Sequence, residues 1–294
     1  MRTDGRESDN VEDRRGDGPV GGGFGGGGLP VGRLGIGGVV IALVASYFFG
    51  IDPRIVLGLL SGMESAPPAQ QVPHGPAPRP TDPTGHFVSV VLADTEDTWT
   101  ALFREKGRTY QPPKLTLYSG SYPTACGQGS AAAGPFYCPR DQKVYLDTSF
   151  FDLLQQRFHA PGNFAQAYVI AHEVGHHVQN QIGVMEQAEK LHAQMSERQY
   201  NQVSVRVELQ ADCFAGIWGY HAQRSRQVVE NGDLEAALRA AAAIGDDTLQ
   251  KQSQGQVVPE TFTHGTSEQR VRWFRRGFES GKMEDCNTFE AKAL

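Results

Sequence analysis

The chain's best-placed chemical groups lie in the run His-Glu-Val-Gly-His-His at 172–177. On a helix, His172 and His176 stand one turn apart on one face, so both imidazoles can bind a single Zn²⁺. Glu173, beside the first histidine, then leans toward the open coordination position, where a carboxylate can take a proton from water. Residues 164–170 are almost all uncharged and apolar, which fits a buried active-site helix. Asn163 as N-cap after Pro161-Gly162, and Gly183 as stop, predict that helix over 163–181. Gly175 lies inside it at a cost of about 1 kcal/mol, which close backbone packing near the metal would explain. His177 projects about 100° from the ligand face and reads as structural.

Two histidines do not make a catalytic zinc site; a third protein ligand is needed, with the fourth place left for water. Downstream the chain reads Val207-Glu208-Leu209-Gln210-Ala211-Asp212. Glu208 and Asp212 share a helix face, so Glu208 can ligate zinc while Asp212 accepts Nδ1–H of a ligand histidine and fixes its tautomer. Val203, Val207, Phe214, Ile217 and Trp218 are spaced as in a long, partly buried helix over 203–222. A carboxylate pair among such residues needs a cation or hydrogen bonds to offset its burial.

With these residues in view, the chain resembles the gluzincin metallopeptidases, in which two histidines of one helix and a glutamate of a later helix bind zinc. It more closely resembles the putative neutral zinc metallopeptidase family of bacterial membrane proteins. The matching segments are His-Glu-Val-Gly-His-His-Val-Gln at 172–179, Glu-Leu-Gln-Ala-Asp-Cys-Phe-Ala-Gly at 208–216, Cys-Pro-Arg-Asp-Gln-Lys-Val-Tyr-Leu-Asp at 138–147 and His-Gly-Thr-Ser-Glu-Gln-Arg at 264–270. Asn-Val-Glu-Asp-Arg-Arg-Gly at 10–16 and the glycine-rich stretch extend the likeness over nearly the whole chain. The resemblance implies zinc peptidase chemistry on a protein or peptide substrate.

The remainder of the chain bears on where such a site would sit. A net charge of −6 over 294 residues, with Lys and Arg scattered, gives no reason to expect nucleic acid. Residues 1–33 are charged and then glycine-rich, a composition that predicts a disordered tail. Residues 34–51 carry no charge and are long enough to cross a bilayer as one transmembrane helix. Arg2, Arg6, Arg14, Arg15 and Arg33 precede this stretch and only Arg54 closely follows it. The positive-inside rule therefore predicts a cytoplasmic N-terminus and a catalytic domain outside the cytoplasm. Residues 61–85 hold seven prolines and read as a semi-rigid linker, leaving 86–294 as one domain. Cys126 with Cys138, and Cys213 with Cys286, suggest two disulfides, although four cysteines allow three pairings.

Within 86–294, residues 86–98 look extended and lead into a helix near 99–106. Residues 115–118 and 143–146 alternate as strands do, and helices follow at about 149–158 and 184–197. Asp233 opens an alanine-rich helix, and Thr266 with Gln269 forms a capping box for a last one. The expected fold is α+β: a mainly helical, zincin-like domain with a small sheet. In the gluzincins that the chain resembles, a strand edge beside the metal helix pairs with extended substrate; strand 143–146 is the candidate here.

The expected chemistry is peptide hydrolysis by zinc-activated water, with Glu173 as general base. An oxyanion donor is also needed, for which His264 and Tyr145 are candidates. Two rivals remain: a membrane-tethered binding module with a structural zinc, and a zinc hydrolase acting on cell-wall peptides. Glu173 argues against the first, because a structural zinc has no use for a general base.

Overall fold

The computed structural model describes residues 1–17, 77–130 and 134–294. The glycine-rich run from 18 onward, the apolar stretch 34–51 and the linker up to 76 lie outside the described residues. No helix among the described residues is long and apolar enough to cross a membrane.

The architecture is α+β with helix predominating. A four-stranded sheet runs in the order β1 (Val11–Asp13), β2 (Lys114–Tyr118), β6 (Lys143–Asp147), β5 (Phe136–Cys138). The first three are mutually parallel, and β5 is antiparallel to β6. Leu115, Leu117, Val144 and Leu146 point from the sheet into the main helical core. Tyr118, Tyr145 and Cys138 form a second cluster with Tyr122 and Phe136. Tyr122 comes from the hairpin of β3 (Ser121–Thr124) and β4 (Gly127–Ser130). Both faces of β2 and β6 are thus covered, the usual state of parallel strands.

Eight α-helices among the described residues complete the fold. They are α1 (Pro83–Glu105), α2 (Ser149–Gln156), α3 (Asn163–Gln181), α4 (Val184–His192), α5 (Glu197–Arg226), α6 (Asp233–Ala243), α7 (Asp246–Gln254) and α8 (Ser267–Ser280). Helix α3 is central, packed on α1, α5, α6 and strands β5 and β6, which accounts for a sequence with almost no polar face. Helix α5 begins at a capping box made by Ser196 and Gln199, and α8 at one made by Thr266 and Gln269. Disulfides join Cys126 to Cys138 and Cys213 to Cys286, the second tying the C-terminal segment to α5.

Several expectations give way to the structure. Residues 86–98, expected to be extended, are helical within α1, which starts at Pro83 under a cap in which Asp82 accepts from the amides of Thr84 and Gly85 at 3.1 and 3.2 Å. The β-branched run Val88-Ser-Val-Val suggested a strand, but burial of most of the helix outweighs that weak propensity. Pro83 to Gly85, assigned to the linker, are its first turn. The helix expected near 184–197 ends at His192, and α5 begins earlier than 203. Strand 143–146 is interior, paired on both sides, so it has no free edge for a substrate.

The largest difference lies in the expected disordered tail. Residues 1–17 are docked on the domain: Val11 is buried in the main core, and β1 pairs in register with β2 through Val11 opposite Leu115.

Candidate metal centre

Helix α3 begins after Gly162, which serves as N-cap with φ of 109°, a left-handed value that glycine adopts without strain. Asn163, expected as the cap, is the first helical residue. The helix delivers His172, Glu173 and His176, all buried, to the floor of a cavity of about 1050 Å³. Helix α5 brings Glu208 and Asp212 to the same point. What allows the approach is Gly175: a Cβ there would lie 2.9 Å from the carbonyl oxygen of Ala211 and 3.2 Å from its Cα. Ala211 stands between Glu208 and Asp212, so the helices touch backbone to backbone between the two sets of functional side chains.

His172, His176 and Glu208 offer ligand atoms that all lie within 4.8 Å of one another. Nε2 of His172 is 3.2 Å from Nε2 of His176 and 3.2 Å from Oε2 of Glu208, and Nε2 of His176 is 3.5 Å from Oε1 of Glu208. The outer nitrogens of both rings are committed elsewhere. Nδ1 of His172 donates to Oδ1 of Asp212 at 2.9 Å, because an ionised carboxylate can only accept. Nδ1 of His176 faces Oε1 of Gln179 at 2.9 Å. The Gln179 amide nitrogen donates to the Val207 carbonyl at 2.7 Å and to Oε1 of Gln210 at 3.0 Å, so its oxygen is the acceptor and His176 the donor. In their neutral forms both rings therefore keep the Nε2 lone pair, directed at the same point as the Glu208 carboxylate, the arrangement that a divalent cation requires.

Behind Asp212 stands Arg270 of α8, 2% exposed, whose Nε and Nη2 reach the carboxylate at 2.8 and 3.0 Å. Tyr168 donates to the same carboxylate at 2.6 Å. Burial alone would raise the Asp212 pKa, but Arg270 and His172 win and hold it down at about 2. Glu208 is likewise pushed up by burial and pulled well below the usual carboxylate range by His176, His264 and His172. For His172, burial lowers the pKa while Asp212 and Glu208 raise it, leaving it at about 10. The field between the two carboxylates favours positive charge at the Nε2 cluster, whether a proton or a metal supplies it.

His264 lines the same cavity, in the loop before α8. Asp246, the first residue of α7, holds that loop by accepting from the amides of Thr263, His264 and Gly265 at 2.8, 2.6 and 3.0 Å, with Nδ1 of His264 at 3.2 Å. Burial lowers the His264 pKa, and the negative charges of Glu208 and Asp246 raise it by more. Tyr145, the other oxyanion candidate, is not brought there: it donates to Asp141 at 2.8 Å within the second cluster and does not line the cavity. His177 fits its structural reading, with Nδ1 3.0 Å from the Tyr137 hydroxyl and Nε2 2.6 Å from the Gln111 carbonyl.

The profile of the family described as "Putative neutral zinc metallopeptidase" matches residues 1–289. The chain belongs to this family. It is also similar to "Uncharacterized protein YpfJ" of Escherichia coli strain K12, 51% identical over 292 residues, covering 98% of this chain and 99% of that protein. "Uncharacterized protein Rv2575" of Mycobacterium tuberculosis strain H37Rv is 41% identical over 218 residues, covering 71% of this chain and 73% of that protein. No solved structure matches. For this member of the zinc metallopeptidase family, Gln179, Tyr168, Asp246 and Arg270 are the site residues that sequence reasoning missed. Gln179, one turn beyond His176, and Tyr168, one turn before His172, left a local signal on the metal helix, whereas Asp246 and Arg270 carry no spacing that ties them to the histidines.

Proposed function

We propose that the protein is a peptidase that hydrolyses peptide bonds, with Zn²⁺ held by His172, His176 and Glu208 and with Glu173 as general base. The observation that carries the proposal is the convergence of three metal-type ligands, two of them with fixed tautomers, in a cavity that Glu173 also lines. Two neutral imidazoles and one carboxylate suit zinc. A structural zinc is closed by four protein ligands, whereas the cluster among the described residues has three, which favours catalysis over a binding module.

When bound, zinc supplies a Lewis acid that polarises the scissile carbonyl and acidifies water. The protein's own residues do the rest. Glu173 takes the proton from the attacking water and passes it to the leaving amine. His264, on the cavity side facing Glu208, donates to the developing oxyanion. Asp212 and Gln179 hold the two imidazoles so that Nε2 points inward. Phe136, Phe150, Leu153 and Phe158 give the cavity an apolar wall, so the preferred substrate carries bulky apolar side chains beside the cleaved bond. Strand β5, with one edge unpaired among the described residues, replaces strand 143–146 as the place where an extended peptide can add. The two disulfides support a location in an oxidising compartment.

The test uses the full chain, because β1 belongs to the domain's sheet. Bound metal is measured by elemental analysis, and cleavage of an unfolded protein mixture is assayed for the parent and Glu173→Gln. One zinc in both, with cleavage by the parent alone, is the expected result. Cleavage by Glu173→Gln at the parent's rate would remove Glu173 from the mechanism, and absence of zinc from both would remove the mechanism itself.

A further inference from the structure

We propose that residues 1–17 and 77–294 stand on the same side of any membrane to which the uncharged stretch 34–51 attaches this chain. The first ground is the sheet. Strand β1 lies along β2 with Val11, Glu12 and Asp13 opposite Leu115, Thr116 and Leu117, and Val11 is 3% exposed. Glu12 bridges Lys114 and Lys143, at 3.1 and 2.8 Å, so the segment is keyed to two strands by charge as well as by register.

The second ground is independent of the sheet. Glu96 of α1 is 6% exposed, and it is met by Ser8 Oγ, Asn10 Nδ2 at 2.8 Å and Arg6 Nη2 at 3.0 Å. All three partners come from the N-terminal segment. A buried carboxylate stripped of such partners is costly, so the domain itself is built to hold residues 6–10.

The third ground is where the intervening chain leaves and returns. The amide of Asp13 donates to the carbonyl of Pro78 at 3.1 Å, and Arg15 pairs with both Asp13 and Asp82. Residues 18–76 therefore begin and end at neighbouring points on one surface. A chain whose ends meet on one side crosses a bilayer an even number of times, zero included. Two of the arginines that suggested the opposite orientation are held by the domain: Arg6 is paired with Glu96 and Asp97, Arg15 with Asp13 and Asp82. The positive-inside rule counts such charges without knowing their partners.

The test is site-directed labelling of the full chain in membranes. Asp9 and Arg198 have side chains 75% and 71% exposed, so Asp9→Cys and Arg198→Cys report the two parts without disturbing the core. The native cysteines are all in disulfides and give no background. Intact spheroplasts are treated with a membrane-impermeant maleimide, before and after permeabilisation. The proposal expects both positions to label alike, either both before permeabilisation or both only after it. Labelling of one position in intact spheroplasts, with the other reached only after permeabilisation, would overturn it. The result does not depend on the peptidase reading, since no activity is measured.

Discussion

Replacing Gly175 by alanine should damage zinc binding more than it damages the fold. An alanine Cβ would sit 2.9 Å from the Ala211 oxygen, 3.2 Å from its Cα and 3.4 Å from its carbonyl carbon. Ordinary contacts between such atoms are about 3.5–4.0 Å, so α3 and α5 must separate by about 0.5 Å. The obstacle is backbone, which no rotamer change relieves. Overpacking of this kind costs about 1–3 kcal/mol, offset by about 1 kcal/mol of helix propensity gained over glycine. The metal-free protein should therefore lose only about 0–2 kcal/mol. The ligand set suffers more, because Glu208 rides on the displaced helix and metal sites tolerate only about 0.2 Å of error in ligand distance. Distortions of this order weaken metal affinity about 10- to 100-fold, or about 1.4–2.7 kcal/mol. Competition against a chromophoric chelator gives the zinc affinity, and urea unfolding of the metal-free protein gives the stability. Zinc affinity unchanged in Gly175→Ala, with a rise of about 1 kcal/mol in stability, would show that the helices are not in backbone contact there.

Other perturbations separate orientation, chemistry and framework. Arg270→Met leaves Asp212 buried without its cation, and should cost about 3–5 kcal/mol in urea unfolding while weakening zinc binding in the chelator assay. His264→Ala should lower kcat about 10²- to 10³-fold with zinc retained, whereas Tyr145→Phe, outside the cavity, should leave kcat unchanged; the reverse ranking would exchange the two candidates. The disulfides close loops of sequence separation 12 and 73, so replacing Cys126 and Cys138 by alanine should cost about 3 kcal/mol and replacing Cys213 and Cys286 about 4, read from urea midpoints.

The ligand set was readable because its geometry is local. His172 and His176, and again Glu208 and Asp212, meet through the period of one helix, and that period is written in the spacing. The capping box of Thr266 and Gln269 is local for the same reason, as are the alternating strands at 115–118 and 143–146. What escaped notice is fixed by closure of the chain. Arg270 meets Asp212 across 58 residues and Glu12 meets Thr116 across 104, and nothing near either residue announces the partner. Strand β1 shows the difficulty most sharply. Its three residues, Val-Glu-Asp, carry one apolar side chain and two acids, a pattern that reads as tail. The acids become intelligible only beside Lys114, Lys143 and Arg15, just as Arg6 becomes intelligible only beside Glu96. Rules of composition and charge count treat each such residue as solvated and free, so they fail where a charged segment is a structural part. That failure is itself informative: an N-terminal run whose Arg6, Ser8 and Asn10 converge on one buried carboxylate belongs to the domain, and any account of how this chain meets a membrane has to begin from that contact.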